Sequence, residues 1–192
     1  MDLLADITKL RQLCLSPGFL YPDYQGTNSK LESTLELIKT AITSGHKVLV
    51  FSSFVTALER LKEAFDDDTY FMLTGQTDAK DRVMMTQQFN KEESSQKVFF
   101  ISLKAGGTGL NLTGADIVIH LDPWWNLAAE NQATDRAHRI GQTQKVTVYK
   151  MIVKDTIEEK VIELQEKKKE LFDKIIEGSQ ADHVQANFED YK

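Results

Sequence analysis

Five short runs dominated by β-branched, aromatic and large aliphatic residues constrain this chain more than any other feature. They are Lys47-Val48-Leu49-Val50-Phe51, Thr69-Tyr70-Phe71-Met72-Leu73, Val98-Phe99-Phe100-Ile101, Ile117-Val118-Ile119-His120-Leu121 and Val146-Thr147-Val148-Tyr149-Lys150-Met151-Ile152. Each has the make-up of a β-strand. In several of them successive residues are apolar, with no polar alternation. Both faces of such a strand must be covered, which predicts a parallel sheet lying between helices.

The segments between the runs supply those helices. Leu31, Leu35, Ile38 and Ile42 repeat at helical spacing behind the capping candidates Asn28 and Ser29, and Gly45 stands where the helix should stop. Phe54, Leu58, Leu61 and Phe65 form a second stripe; further helices are predicted from about Ala79 to Phe89 and from Leu127 to His138. The alternation is that of an α/β domain with right-handed crossovers. Two flanks differ from this body. Residues 1–28 hold a short helical pattern (Leu3, Ile7, Leu10, Leu13) and a turn-rich connector from Ser16-Pro17-Gly18 to Gly26. Residues 153–177 carry a near-heptad stripe, Ile157, Val161, Leu164, Leu171 and Ile175, behind the capping-box-like start Asp155-Thr156-Ile157-Glu158. This predicts a long exposed helix with one adhesive face, suited to a protein partner. Residues 178–192 lose the pattern and are expected to fray.

Composition narrows the function classes. The 192 residues include 23 Lys+Arg against 29 Asp+Glu, a net charge of −6, so any contact with phosphates must come from a local patch, not from bulk attraction. The run Lys167-Lys168-Lys169 is one such patch, but acidic residues outnumber lysines around it, and a solvated helix face accounts for it. The single cysteine, Cys14, excludes an internal disulfide framework and predicts an intracellular protein, and no Cys/His pair has zinc spacing. No apolar run reaches the roughly 18 residues of a membrane span, and the opening Met1-Asp2-Leu3-Leu4-Ala5-Asp6 lacks a cationic lead, so no membrane association is expected.

Three stretches have chemical content. Gly106-Gly107-Thr108-Gly109 follows a predicted strand, yet it fails as a Walker loop because no Gly-Lys-Ser/Thr follows, and as a dinucleotide fingerprint because Leu112 holds the third glycine position. A tight turn explains the glycines, although their backbone N–H groups also suit a phosphate. Asp122 ends the fourth strand run, but Pro123 stands where a catalytic Glu would be expected, so Asp122 reads as a turn former. Arg136 and Arg139, three residues apart with Gln132 one turn earlier, share a helical face. Two guanidiniums so placed make a clamp for a polyanion, or else a surface ion-pair ladder with Glu130 and Asp135.

Taken in order, these segments resemble the C-terminal lobe of the Swi/Snf family of DNA-translocating ATPases, in helicase superfamily two. Leu10-Arg11-Gln12-Leu13-Cys14 with Pro17 resembles the lead-in between lobes; Val50-Phe51-Ser52-Ser53-Phe54 is similar to motif IV and Leu73-Thr74-Gly75 to the turn that follows the second strand. Ser102 through Leu112 resembles motif V, Asp122-Pro123-Trp124-Trp125-Asn126 the aromatic motif after it, Gln132 through Gln142 motif VI, and Asp155 through Lys160 the start of the C-terminal brace helix. One departure is Leu127, where the family commonly has proline, which affects the turn into the next helix.

The resemblance implies a RecA-like fold over 29–152, similar to a P-loop NTPase: a parallel sheet with helices on both faces, flanked by the arm and the brace helix. It implies that Arg136 and Arg139 are arginine fingers for the γ-phosphate of ATP, with Gln132 lining the same cleft and Gly107 and Gly109 sensing the nucleotide. Ser52, Ser53, Ser102, Lys104, Gly106, Gly107 and Trp125 would contact duplex DNA, mostly at its phosphates. The family holds ATP and Mg mainly on an N-terminal lobe that carries the Walker loop and the metal acids, none of which is in this chain. The expectations are half an enzyme, inactive alone, working in the cytoplasm of a bacterium or archaeon or in a eukaryotic nucleus. Two other readings stay open here: a non-catalytic α/β interaction module that uses the terminal helix, and a lobe of an RNA helicase.

Overall fold

The apolar runs become strands and the stripes between them helices. The computed structural model describes residues 3–65, 69–106, 110–124, 126–135, 137, 145–171 and 174. In chain order these form α1 (Leu3–Leu15), a 3-10 turn (Pro17–Phe19), α2 (Ser29–Thr43), β1 (Val48–Ser52), α3 (Val55–Glu63), β2 (Tyr70–Leu73) and α4 (Ala79–Phe89). There follow β3 (Val98–Ser102), the single turn α5 (Leu103–Gly106), β4 (Ile117–His120), α6 (Leu127–Thr134), β5 (Thr147–Lys150) and α7 (157–171).

The strands form one parallel sheet in the order β2-β3-β1-β4-β5. Position in that order decides burial. The inner strands β1, β3 and β4 are buried at every residue, as their unbroken apolar runs require. β5, at one edge, is exposed along its length, and β2, at the other, is buried only at Leu73. The pleat sends Val48, Val50, Val98, Phe100, Ile117 and Ile119 to one face, where α2, α3 and Leu15 of α1 cover them. Leu49, Phe51, Phe99, Ile101 and Val118 point to the other face, against Phe89 of α4, Ala105 of α5, Ala133 of α6 and Trp124. Fully burying each large side chain of these layers contributes about 1.5–3 kcal/mol.

Local chemistry sets the helix ends. α2 stops at Ser44, where Gly45 adopts φ +86° and the N–H groups of Gly45 and His46 reach back to Ile42 O and Ala41 O. This is a Schellman closure, which only a residue at home in the left-handed region makes without strain. At the amino edge of the sheet Asn90 clasps the loop before β4, donating to Asn111 O (2.7 Å) and accepting from Gly114 N (3.0 Å).

The terminal helix departs from expectation. Val161 is buried, whereas Leu164 and Leu171 are exposed, so the stripe predicted to be adhesive is only partly the packing face. The buried face is instead Glu158, Val161 and Gln165, spaced i, i+3 and i+7. Glu158 is held by Lys30 of α2 at 2.5 Å and accepts from Val153 N at 2.8 Å. Ile175 and the tail 178–192 lie outside the described residues. None of the described helices is long and apolar enough to cross a membrane.

Candidate functional site

Parallel strands bring their carboxyl ends to one edge. The register sets Ser52 beside Ser102, and Phe51 beside both Ile101 and His120. From β1 the chain passes over β3 to β2, whereas from β3 it crosses β1 to reach β4. Connections that leave in opposite directions open a crevice beyond the carboxyl ends, the usual binding position in such sheets. Ser53, Ser102, α5 and the loop 122–124 line that edge.

A buried carboxylate organises it. Asp122 accepts from Ser52 Oγ (2.6 Å) and Ser53 N (3.0 Å) through Oδ1, and from Arg11 Nη2 (2.8 Å) through Oδ2. Arg11 also donates to Ser53 Oγ and Pro123 O, and its guanidinium lies over the Phe54 ring at 5.1 Å. One expectation changes. Asp122 is no turn former but the hub that joins α1, the end of β1 and the end of β4. Ser52 is wholly buried, its hydroxyl donating to Asp122 and accepting from Phe54 N. Ser53 is the partly buried member of the pair. Ser102 is buried, and its Oγ has no hydrogen-bond partner among the described residues. Arg82 of α4 fastens α5 to the turn after β2, donating to Thr74 O (3.2 Å), Thr77 O (2.8 Å) and Ala105 O (3.5 Å).

Beside this hub, α6 carries a second polar cluster. Glu130, 2% exposed, pairs through Oε1 with Lys150 Nζ of β5 at 2.5 Å, while Oε2 accepts from Trp124 N (3.3 Å) and Gln165 Nε2 (3.1 Å). Burial disfavours the charged form of Glu130, but the donors from Lys150 and Gln165 and the positive charge around it prevail and leave its pKa below the ordinary value. His120, 1% exposed, stacks on Phe51 at 5.7 Å and meets the Trp124 ring edge-on at 5.8 Å. Its Nε2 lies within hydrogen-bond distance of Thr134 Oγ1 (3.0 Å), a hydroxyl that also faces Glu130 O at 3.3 Å. Burial above all lowers its pKa to about 4, against the pull of Glu130, and the imidazole is neutral at neutral pH.

The predicted site residues thus fall into three groups. Ser52, Ser53 and Ser102 meet at the carboxyl edge, together with the backbone of α5, to which Lys104 and Gly106 belong. Gln132 is exposed on α6, apart from that trio in sequence but on the element that leads to the two arginines. Gly107, Gly109, Trp125, Arg136 and Arg139 lie outside the described residues. The ion-pair ladder loses one rung, because Glu130 is buried and committed to Lys150. Sequence reasoning gave Arg11, Glu130, Lys150, Glu158 and Gln165 no such roles. Their side-chain partners are 20 to 128 residues away, as in Glu130 with Lys150 and Lys30 with Glu158, and no local pattern announces such pairs.

The helicase conserved C-terminal domain profile matches residues 29–141. The chain is 43% identical over 180 residues to an uncharacterized ATP-dependent helicase of Mycoplasma pneumoniae, covering 91% of this chain and 17% of that protein. It is 39% identical over 184 residues to the putative ATP-dependent helicase/translocase YwqA of Bacillus subtilis (92% and 20%), and 37% identical over 172 residues to DNA repair protein RAD5 of Kluyveromyces lactis (85% and 15%). It therefore spans a fifth or less of the length of these relatives. The crystal structure of the C-terminal part of the Fun30 ATPase domain superimposes with a TM-score of 0.66 at 35% identity, over 82% of this chain and 53% of that one.

Proposed function

The chain belongs to the helicase conserved C-terminal domain family, as the RecA-like C-terminal domain of Swi/Snf-type ATP-dependent helicases, and from that premise we propose that it is one lobe of a two-lobe, DNA-stimulated translocase. The supporting observation is the carboxyl edge of the sheet, where the register sets Ser52 beside Ser102, next to Ser53 and α5, while α6 leads the chain toward Arg136 and Arg139. In this reading the two arginines reach across a cleft to the γ-phosphate of ATP bound by the other lobe, with Gln132 beside them. They stabilise charge that develops during phosphoryl transfer. Ser53, Lys104, Gly106, Gly107 and Trp125 hold duplex DNA through its backbone, with the buried Ser52 and Ser102 behind them, and Gly107 and Gly109 sense the nucleotide. Phosphate contacts carry no sequence information, so grip is sequence-neutral and weakens with salt.

In this reading magnesium belongs to the other lobe along with most of the ATP contacts, as the resemblance implies. When bound there it would neutralise phosphate charge; the residues of this chain orient and complete the site. Lobe closure on ATP and opening after hydrolysis alternate the grip and give directional movement inside the cell, where both ligands are found.

The test is Arg139→Ala in the full two-lobe protein. Turnover should disappear while duplex affinity stays within a few-fold. Equal loss of both would make Arg139 a DNA contact and overturn its assignment. The 192-residue chain alone should show no ATP turnover, and steady turnover that survives Arg139→Ala would refute the division of labour.

A further inference from the structure

Gln165 is the last buried residue of α7: every described residue from 166 to 171 is exposed. A leucine there would bury similar area without having to satisfy an amide. The amide nitrogen of Gln165 is used twice. Its Nε2 donates to Trp124 O and to Glu130 Oε2, and the same carboxylate oxygen accepts from Trp124 N. Three groups from three separate elements therefore close a ring: the backbone of the loop after β4, a carboxylate of α6 and an amide of α7. Lys150 of β5 holds the remaining oxygen of Glu130. The amide is placed from behind as well, because α7 is anchored two turns earlier by the Glu158–Lys30 pair.

The two elements joined by this ring have different tasks. Trp124 immediately precedes Trp125, assigned above to DNA, and α6 carries Gln132 and leads to Arg136 and Arg139, assigned to the nucleotide. Resting on that reading, we propose that Gln165 is a positioning residue that ties the DNA-side loop to the nucleotide-side helix, so that a shift of one is passed to the other. It touches neither ligand. Its effect is on the linkage between them, carried by buried hydrogen bonds that are costly to leave unmade.

The experiment compares Gln165→Leu with Val161→Ala, which weakens the seating of α7 while leaving the ring's groups in place. In the full two-lobe protein, Gln165→Leu should lower the ratio of DNA-stimulated to basal ATP hydrolysis by about ten-fold, with KM for ATP and duplex Kd within about two-fold; Val161→Ala should keep the ratio. In the 192-residue chain, hydrogen exchange of the Trp124 amide and of α6 should quicken by about ten-fold in Gln165→Leu, with β1 and β3 unchanged. An unaltered ratio in Gln165→Leu, or the same loss in Val161→Ala, overturns the proposal. If the unmodified two-lobe protein shows no response to DNA, the functional reading fails instead. The exchange experiment then decides the link alone, and unchanged exchange in Gln165→Leu overturns it.

Discussion

His120 should make the stability of this domain fall with acid well before the carboxylates titrate. In the unfolded chain the imidazole binds its proton near the ordinary value of 6.5, whereas burial between Phe51 and Trp124 lowers that to about 4 in the fold. Between those two values the unfolded state binds more protons, so stability rises with pH, and the contribution is complete above about pH 6.5. At about 1.4 kcal/mol per pH unit the gap is worth about 3 kcal/mol, lost progressively as the pH falls toward 4. Other buried groups titrate nearby. Glu130, with its pKa held low, adds a loss below the carboxylate range, while Glu158, whose pKa burial raises, acts in the opposite direction. The difference between the native chain and His120→Phe reports the imidazole together with its pull on Glu130, because phenylalanine keeps the ring contacts and cannot take a proton. Urea denaturation at half-unit steps from pH 7.5 to 4.5 should give a difference curve that is flat above about pH 6.5 and slopes by up to about 1.4 kcal/mol per unit below it. A flat difference across the whole range would show that the folded domain protonates His120 freely, and the reasoning from burial would fail.

Two further outcomes follow from groups that touch no ligand. Lys30→Met leaves the Glu158 carboxylate buried without its partner and should cost about 3–5 kcal/mol in urea denaturation, with Lys30→Met/Glu158→Gln recovering at least half, since a glutamine can still accept from Val153 N. Equal cost in the single and double variants would contradict it. Gly114→Ala would place a Cβ 2.9 Å from Asn90 Cα and 3.0 Å from Phe89 O, both backbone atoms, and should lose about 1–3 kcal/mol, while Gly75→Ala, with open space around it, should leave Tm within about a degree. Thermal melts of the two variants check the contrast.

The core of this fold was legible because its signal is local. A run such as Val98-Phe99-Phe100-Ile101 needs cover on both faces, and that requirement predicts a central parallel strand before any partner is known. Edge position is not written in the run itself: Thr147-Val148-Tyr149-Lys150 resembles the inner strands in β character, and only the strand order exposes it. The site was partly legible for the same reason. The residues of one strand end or one helical turn are neighbours in sequence, but the groups that hold them arrive from elsewhere. Asp122 reads as a turn residue until Arg11, 111 residues away, is brought against it, and Ser52 reads as a free hydroxyl until the same carboxylate claims it. In α7 the heptad pattern favoured leucines, yet the packing face contains a glutamate and a glutamine, because each finds a buried partner that a stripe of apolar positions cannot reveal.

The Lys30–Glu158 bond closes a loop that takes in almost every other element of the domain. During synthesis, amino end first, α2 leaves the ribosome about 130 residues before the carboxylate that neutralises its lysine, so each chain passes through a stage in which sheet and helices exist without their final fastening. Contacts of such long separation form late and slowly. The segment around Glu158 therefore acts as a latch on the elements before it, and a chain cut short ahead of Glu158 has that latch open.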